Sequence, residues 1–309
     1  MGHRLQGTGG RVRSLICALL YAFLAFWLLS ADELPAPLIE RAAVALHATD
    51  LSPITVTFYE TINLMTVLLL TWIFGLLERR RVDDYGLPVR DAFGARFWEG
   101  FAIGVANAGL VALGMLLLGG MTVHGLALHG TAILQAALAW LGASILVGLA
   151  EEYLFRGYLL QSLWRGLGFW PAAVLIALGF GADHYFFKRG ENVWDLITLV
   201  SLGLWGCYSV LRTGSLWLAA GYHVAFDYMQ LFIIGTQNGS ATPVGRLLNA
   251  SFEGPPWING GVLGTEASLL MYPLIVVMFL YVSWRYPRGS GRPNRSGHSA
   301  RSRPATQHE

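Results

Sequence analysis

Residues 131–157 read TAILQAALAWLGASILVGLAEEYLFRG. The stretch from Thr131 to Ala150 contains none of Asp, Glu, Lys or Arg. Twenty residues at roughly 1.5 Å each make a helix about 30 Å long, the thickness of a bilayer's hydrocarbon core. Two glutamates follow at once, and Arg156 stands four residues after the second. Ionisable groups at the deep end of a membrane helix are costly, so they mark a site by default.

The rest of the chain repeats the first half of that pattern. Stretches 14–31, 61–77, 100–123, 196–211, 228–245 and 267–284 are also free of charge. Of the 309 residues 54% are apolar and 13% charged, about half the charged share of a soluble protein. This excludes a soluble globular domain, a disordered chain and a disulfide-stapled secreted one. Cys17 and Cys207 are too few for a metal knuckle or a redox pair. The fold class expected is all-α, a polytopic membrane bundle of about eight spans: 14–31, 54–77, 98–120, 132–160, 169–187, 194–211, 215–235 and 264–284. The first is read as a retained span rather than a cleaved signal, because charged Asp32-Glu33 and seven more apolar stretches follow.

Loop charges set the orientation. With the N-terminus inside, sixteen Arg or Lys residues fall in inner regions and four (Arg41, Lys188, Arg189, Arg246) in outer loops. That is a strong positive-inside bias, with both termini cytoplasmic and an inner membrane of bacterial type as the expected location. Lys188-Arg189 is the local exception, with Glu191 and Asp195 near to offset it. The organisation expected is a cytoplasmic segment 1–13, N-terminal membrane helices 14–130, a catalytic membrane core 131–235, an outer loop 236–262, a last membrane helix 263–286, and a disordered Arg-rich cytoplasmic tail 287–309. Residues 78–97, with both charge signs, read as an interfacial elbow. Nothing reads as a nucleic-acid surface, so the partners expected are membrane lipids and a membrane-associated protein or peptide. Small residues are frequent in the spans, which allows close helix packing without pointing to a function.

Three polar groups sit in the spans: Glu151, Glu152 and Arg156 in the fourth, Asp183 and His184 in the fifth, and His223 and Asp227 in the seventh. Glu152 and Arg156 are i,i+4 and can pair. Arginine keeps its charge in any environment, so a carboxylate beside it is expected. Glu151 then points elsewhere, unpaired in its own helix, as suits a general acid or base. His223 and Asp227 also share one helix face. Two imidazoles and two carboxylates from three helices can activate water, bind a divalent ion or carry protons. One intramembrane histidine alone more often ties helices together, but the three groups jointly argue for chemistry. Asp183 reads as supporting, and His124 and His129 as surface histidines. The chain lacks His-Glu-x-x-His, Gly-x-Ser-x-Gly and a Gly-rich phosphate loop, so a hydrolytic nucleophile would be water.

In order on successive helices, Glu151-Glu152-x-x-x-Arg156, Phe180-x-x-x-His184 and His223-x-x-x-Asp227 resemble the three motifs of the CAAX-protease and bacteriocin-processing family of intramembrane endopeptidases, also called the Abi or lysostaphin-resistance-protein-A-like family. The resemblance implies that Glu151 and His184 activate water, that Glu152 and Arg156 support them, and that His223 stabilises the oxyanion. Asp227 departs from the asparagine of the CAAX-trimming enzymes. The resemblance leaves the cofactor open. A divalent metal such as zinc would have Glu151, His184 and His223 as candidate ligands, while the metal-free reading, slightly favoured, has Asp227 orient His223. Two other classes fit such residues, a proton-coupled transporter or channel and an inactive scaffold. A protease needs Glu151 and His184 to converge on one water. Their depths agree only if the fourth helix runs on to about Trp164 and the fifth begins near Gly168.

The charge asymmetry makes a direct prediction. Reporter fusions after Thr236 and after Arg288 should report opposite sides of the membrane, and the same side for both would overturn the topology.

Overall fold

The computed structural model describes residues 8–29 and 51–287. The start of the N-terminal segment, most of the first outer loop, and the tail from residue 288 lie outside the described residues. Its helices run α1 (Thr8–Leu29), α2 (Pro53–Glu78), α3 (Ala95–Leu117), α4 (Thr131–Tyr153), α5 (Leu160–Leu167), α6 (Phe169–Phe187), α7 (Val193–Thr213), α8 (Trp217–Asp227), the short α9 (Pro256–Asn259) and α10 (Met271–Arg285). The chain is an all-α polytopic membrane bundle, with helices at all eight expected places. Six are long and apolar enough to cross a membrane. The fifth and seventh are not among them. These are the helices whose apolar character is diluted by Asp183 and His184, and by His223 and Asp227.

Local chemistry sets the helix ends. Ser52 caps α2, its Oγ accepting from the Thr55 amide at 3.2 Å, and Pro53 follows at the first helical position, where no amide is needed. Asn192 caps α7 by accepting from the amides of Trp194 and Asp195, and Gly214 ends it in the left-handed conformation. The fourth span continues from Thr131 to Leu167, 37 residues. It does so through a π-helical segment, Leu154–Leu159, with a kink at Gly157. Gly168, at φ 89°, then breaks it from α6. The long fourth helix and the turn near Gly168 are as the sequence required.

The tightest packing is between α3 and α8. A methyl group added to Gly100 would lie 2.0 Å from the Leu218 carbonyl oxygen, and one added to Gly221 would lie 2.0 Å from that of Phe97. The two backbones therefore touch, and α8 is buried along almost its whole length. A second core joins α1, α2 and the π segment through stacked Tyr21 and Tyr158, 4.8 Å apart, with Phe74 and Tyr85 against them. The 78–97 elbow folds back as two 3-10 turns, Val82–Tyr85 and Val89–Asp91. It meets the start of α8, where Leu216 donates to Gly86 O and Trp217 Nε1 to Pro88 O.

One element was not anticipated. β1 (Thr122–Leu126) pairs antiparallel with β2 (Leu248–Ser251), from within the expected outer loop. Each run is too short and too rich in Gly, Ser and Asn to alternate legibly, so only the pairing reveals the strands.

The close approach of α3 and α8 should be measurable. Gly221→Ala should cost about 1–3 kcal/mol, as overpacking does. Gly142→Ala, where an added methyl meets nothing within 4 Å inside α4, should not lower the unfolding midpoint in detergent.

Candidate active site

Arg156 is the least exposed basic side chain among the described residues at 1%, and it lies in the π segment directly after α4. Its Nη1 donates to Glu152 Oε1, the ion pair expected one turn away. Its guanidinium lies over the Phe180 ring at 5.1 Å, and room for it comes from Gly206 of α7, where a methyl group would stand 2.5 Å from Arg156 Nε. Glu152 has a second partner that the helix spacing did not foretell, for its Oε1 also accepts from His223 Nδ1 at 3.1 Å. Glu152 thus ties the fourth span to α8.

Phe180 explains its place in the second motif. Its ring packs against His184 at 4.7 Å and His223 at 6.4 Å, and its carbonyl oxygen lies 3.1 Å from His184 Nδ1. A carbonyl can only accept, so His184 Nδ1 carries the proton and the neutral ring presents a lone pair at Nε2. That nitrogen faces Glu151 Oε2 at 4.0 Å. His223 Nε2 faces the same oxygen at 3.7 Å, and Asp227 Oδ2 at 3.6 Å. Glu151 Oε2 is buried and has no hydrogen-bond partner among the described residues. The structure therefore brings together Glu151, Glu152, Arg156, His184, His223 and Asp227. The nitrogen of His223 turned away from Glu151 is held by Glu152, while Asp227 shares the near nitrogen with Glu151.

These groups line a cavity of about 210 Å³. Asp183 is exposed and absent from its lining, and His124 and His129 are exposed, His124 meeting Ser251 Oγ at 2.9 Å. Three charged residues of the cavity lay outside the three motif groups. Glu60, from α2, lines the wall and accepts from Asn63 Nδ2 at 3.3 Å. Its position inside the expected second span was itself a signal, since any ionisable residue in a span marks a site. Lys188 and Glu266 pair at the rim, with Glu191 at 3.6 Å from Lys188. The apparent topological exception at Lys188 is thus neutralised by Glu266 as well as by Glu191.

Among the described residues no three His, Cys, Asp or Glu side chains form a group able to hold an ion. Phe180 O and Glu152 Oε1 hold the Nδ1 atoms of His184 and His223, and the nitrogens turned toward Glu151 are both Nε2.

Comparison with known proteins agrees with the motif resemblance. Residues 133–229 match the family described as type II CAAX prenyl endopeptidase Rce1-like. All seven motif residues fall within that stretch, while Glu60 and Glu266 do not. The chain is also 30% identical over 112 residues to the uncharacterized protein YyaK of Bacillus subtilis (strain 168), which covers 35% of this chain and 37% of that protein. The chain thus matches little more than a third of the length of this curated relative. No solved structure matches.

The Glu152 bridge generates a prediction of its own. Glu152→Gln leaves a buried guanidinium without its counter-charge, which costs about 3–5 kcal/mol. The expected result is a lower unfolding midpoint and a lower yield of folded protein in the membrane. A Glu152→Gln protein as stable as the parent would remove the structural role.

Proposed function

We propose that the membrane core matching the CAAX prenyl endopeptidase family hydrolyses a peptide bond of a membrane-associated protein or peptide, with water as the nucleophile. One observation carries this reading: the His184 Nε2 lone pair and the Glu151 carboxylate, two acceptors, face each other across 4.0 Å. That is too long for a direct hydrogen bond and suits a donor standing between them. Water is the donor that fits, giving one proton toward each acceptor and turning its own lone pairs outward.

The steps follow from these positions. Glu151 takes a proton as the water oxygen bonds to the carbonyl carbon, with His184 Nε2 accepting the other O–H. His223 donates from Nδ1 to Glu152, so a hydrogen bond from Nε2 to the oxyanion is made by the doubly protonated ring, which enters the step already carrying its positive charge. The carboxyl groups of Glu151, Glu152 and Asp227 stand around it to balance that charge. The tetrahedral species then breaks its C–N bond, and Glu151 returns its proton to the leaving amine, which restores the carboxylate. Apolar side chains on the cavity wall, among them Val147, Leu199, Phe226 and Leu231, suit an apolar segment beside the scissile bond.

The roles separate by substitution. Glu151→Gln should keep the protein folded and abundant while lowering turnover by about 10²–10⁴, the usual contribution of a general base. Asp227→Asn should retain substantial turnover, since it removes a counter-charge and keeps the shape. Full turnover in Glu151→Gln on a peptide that the parent cleaves would sink the assignment. Exhaustive chelation should leave cleavage intact. One zinc per chain whose removal stops cleavage, and whose return restores it, would overturn the metal-free mechanism.

A further inference from the structure

The opposite end of the bundle holds a second cavity, of about 590 Å³, lined by Gly10, Arg13 and Ser14 of α1, the end of α2 with Arg79 and Arg80, and Arg165 of α5. Four arginines face it against one carboxylate, Glu78. That carboxylate is already engaged, by Arg165 at 2.6 Å, Tyr158 at 2.9 Å and Tyr85 at 3.1 Å. Arg165 has a side chain only 10% exposed, and its buried Nε has no hydrogen-bond partner among the described residues. Arg13 Nη2 donates to Leu77 O, and Arg80 Nη2 to Asp84 O and, at 3.4 Å, to Gln161 Oε1, with the Arg80 guanidinium 4.4 Å from the centre of the Tyr85 ring. Most of their donors remain available to the cavity.

Arg79 is placed there at a cost. It follows the last turn of α2 with φ 54°, the left-handed region where glycine is the usual residue. A guanidinium stands where backbone preference asks for no side chain, at the mouth of a cationic cavity. Leu77 lines the cavity, and Val12 and Leu76 neighbour its lining residues along α1 and α2; all three are apolar and more than half exposed. This end is the one that the charge distribution assigns to the cytoplasmic leaflet, whose anionic lipids attract basic clusters.

We propose that this cavity binds a phosphate-bearing anion, the headgroup of an anionic phospholipid of the inner leaflet, with the phosphodiester among Arg13, Arg79, Arg80 and Arg165 and the acyl chains along Val12, Leu76 and Leu77. Planar guanidinium groups suit paired hydrogen bonds to phosphate oxygens. The site is separate from the catalytic cavity and does not depend on the proposed activity.

The test uses the full chain in bilayer discs of equimolar phosphatidylglycerol and phosphatidylcholine, extracted in mild detergent, with retained lipid identified by mass. The parent should retain phosphatidylglycerol over phosphatidylcholine by about five- to tenfold. Arg79→Gly should lose most of that preference without a fall in unfolding midpoint, because glycine suits φ 54°. Arg13→Gln supplies a second variant with an undisturbed backbone. Arg90→Gln, an exposed arginine of the same elbow outside the cavity, should keep the preference. Equal retention of both lipids by the parent, or an equal loss in Arg90→Gln, would overturn the site. Release of phosphatidylglycerol by millimolar inorganic phosphate would overturn the lipid assignment in favour of a free phosphate.

Discussion

A guanidinium that cannot lose its charge, held deep in an apolar bundle, constrains everything around it. Arg156 needs a carboxylate, and Glu152 supplies it one turn away. It needs volume, and Gly206 leaves it. It takes a π face as well, from Phe180, whose carbonyl then sets the tautomer of His184. Through Glu152 the same charge reaches His223. One buried cation therefore orients both histidines of the site without touching either, and a substitution at any link would be felt by the others.

Helix irregularity completes the placement. The fourth span leaves α-helical geometry right after Glu151, Glu152 and Tyr153, and α8 passes into a second π segment, Tyr228–Ile234, right after Asp227. Single-turn π segments are rare and recur at functional sites, since each shifts the register of the following side chains. The first begins two residues after Glu152 and carries Arg156, and the second begins directly after Asp227. The polar groups themselves keep α-helical spacing, so Glu152 to Arg156 and His223 to Asp227 still meet as i,i+4 pairs. Closeness of α3 to α8 depends on glycines at 100, 104 and 221 that lack a Cβ where the facing backbone passes.

How much of this was legible in the sequence depended on the range of the interaction. The bundle was legible because apolar runs and their charged interruptions are local. The Glu152–Arg156 pair was legible because helix spacing alone brings the two together. Convergence of three helices on Glu151 came from motif resemblance, and the depth argument about Trp164 and Gly168 followed once the helices were assumed to meet. What could not be read was long-range: Glu60 reaching the cavity from α2, Lys188 pairing with Glu266, and β1 finding β2 across more than a hundred residues. The glycines were visible as small residues, yet nothing local distinguishes Gly221, pressed against Phe97 O, from Gly142, which faces open space.

The aspartate at 227 is the point where residue chemistry and family resemblance pull apart, and the geometry suggests how the substitution is tolerated. An asparagine there could donate to an oxyanion, and an ionised aspartate cannot. Asp227 Oδ2, however, lies 3.6 Å from His223 Nε2, the same nitrogen that faces Glu151. On the proposed reading the donor to the oxyanion is His223, so the residue at 227 need not donate at all. Its charge then serves the imidazolium that donates to the oxyanion, much as Glu152 serves Arg156. Two carboxylates against two cations repeat the same solution, and Glu151, although it too faces His223 Nε2 at 3.7 Å, has an Oε2 with no hydrogen bond among the described residues. That uncommitted oxygen, rather than any single distance, is what frees it to take and return a proton.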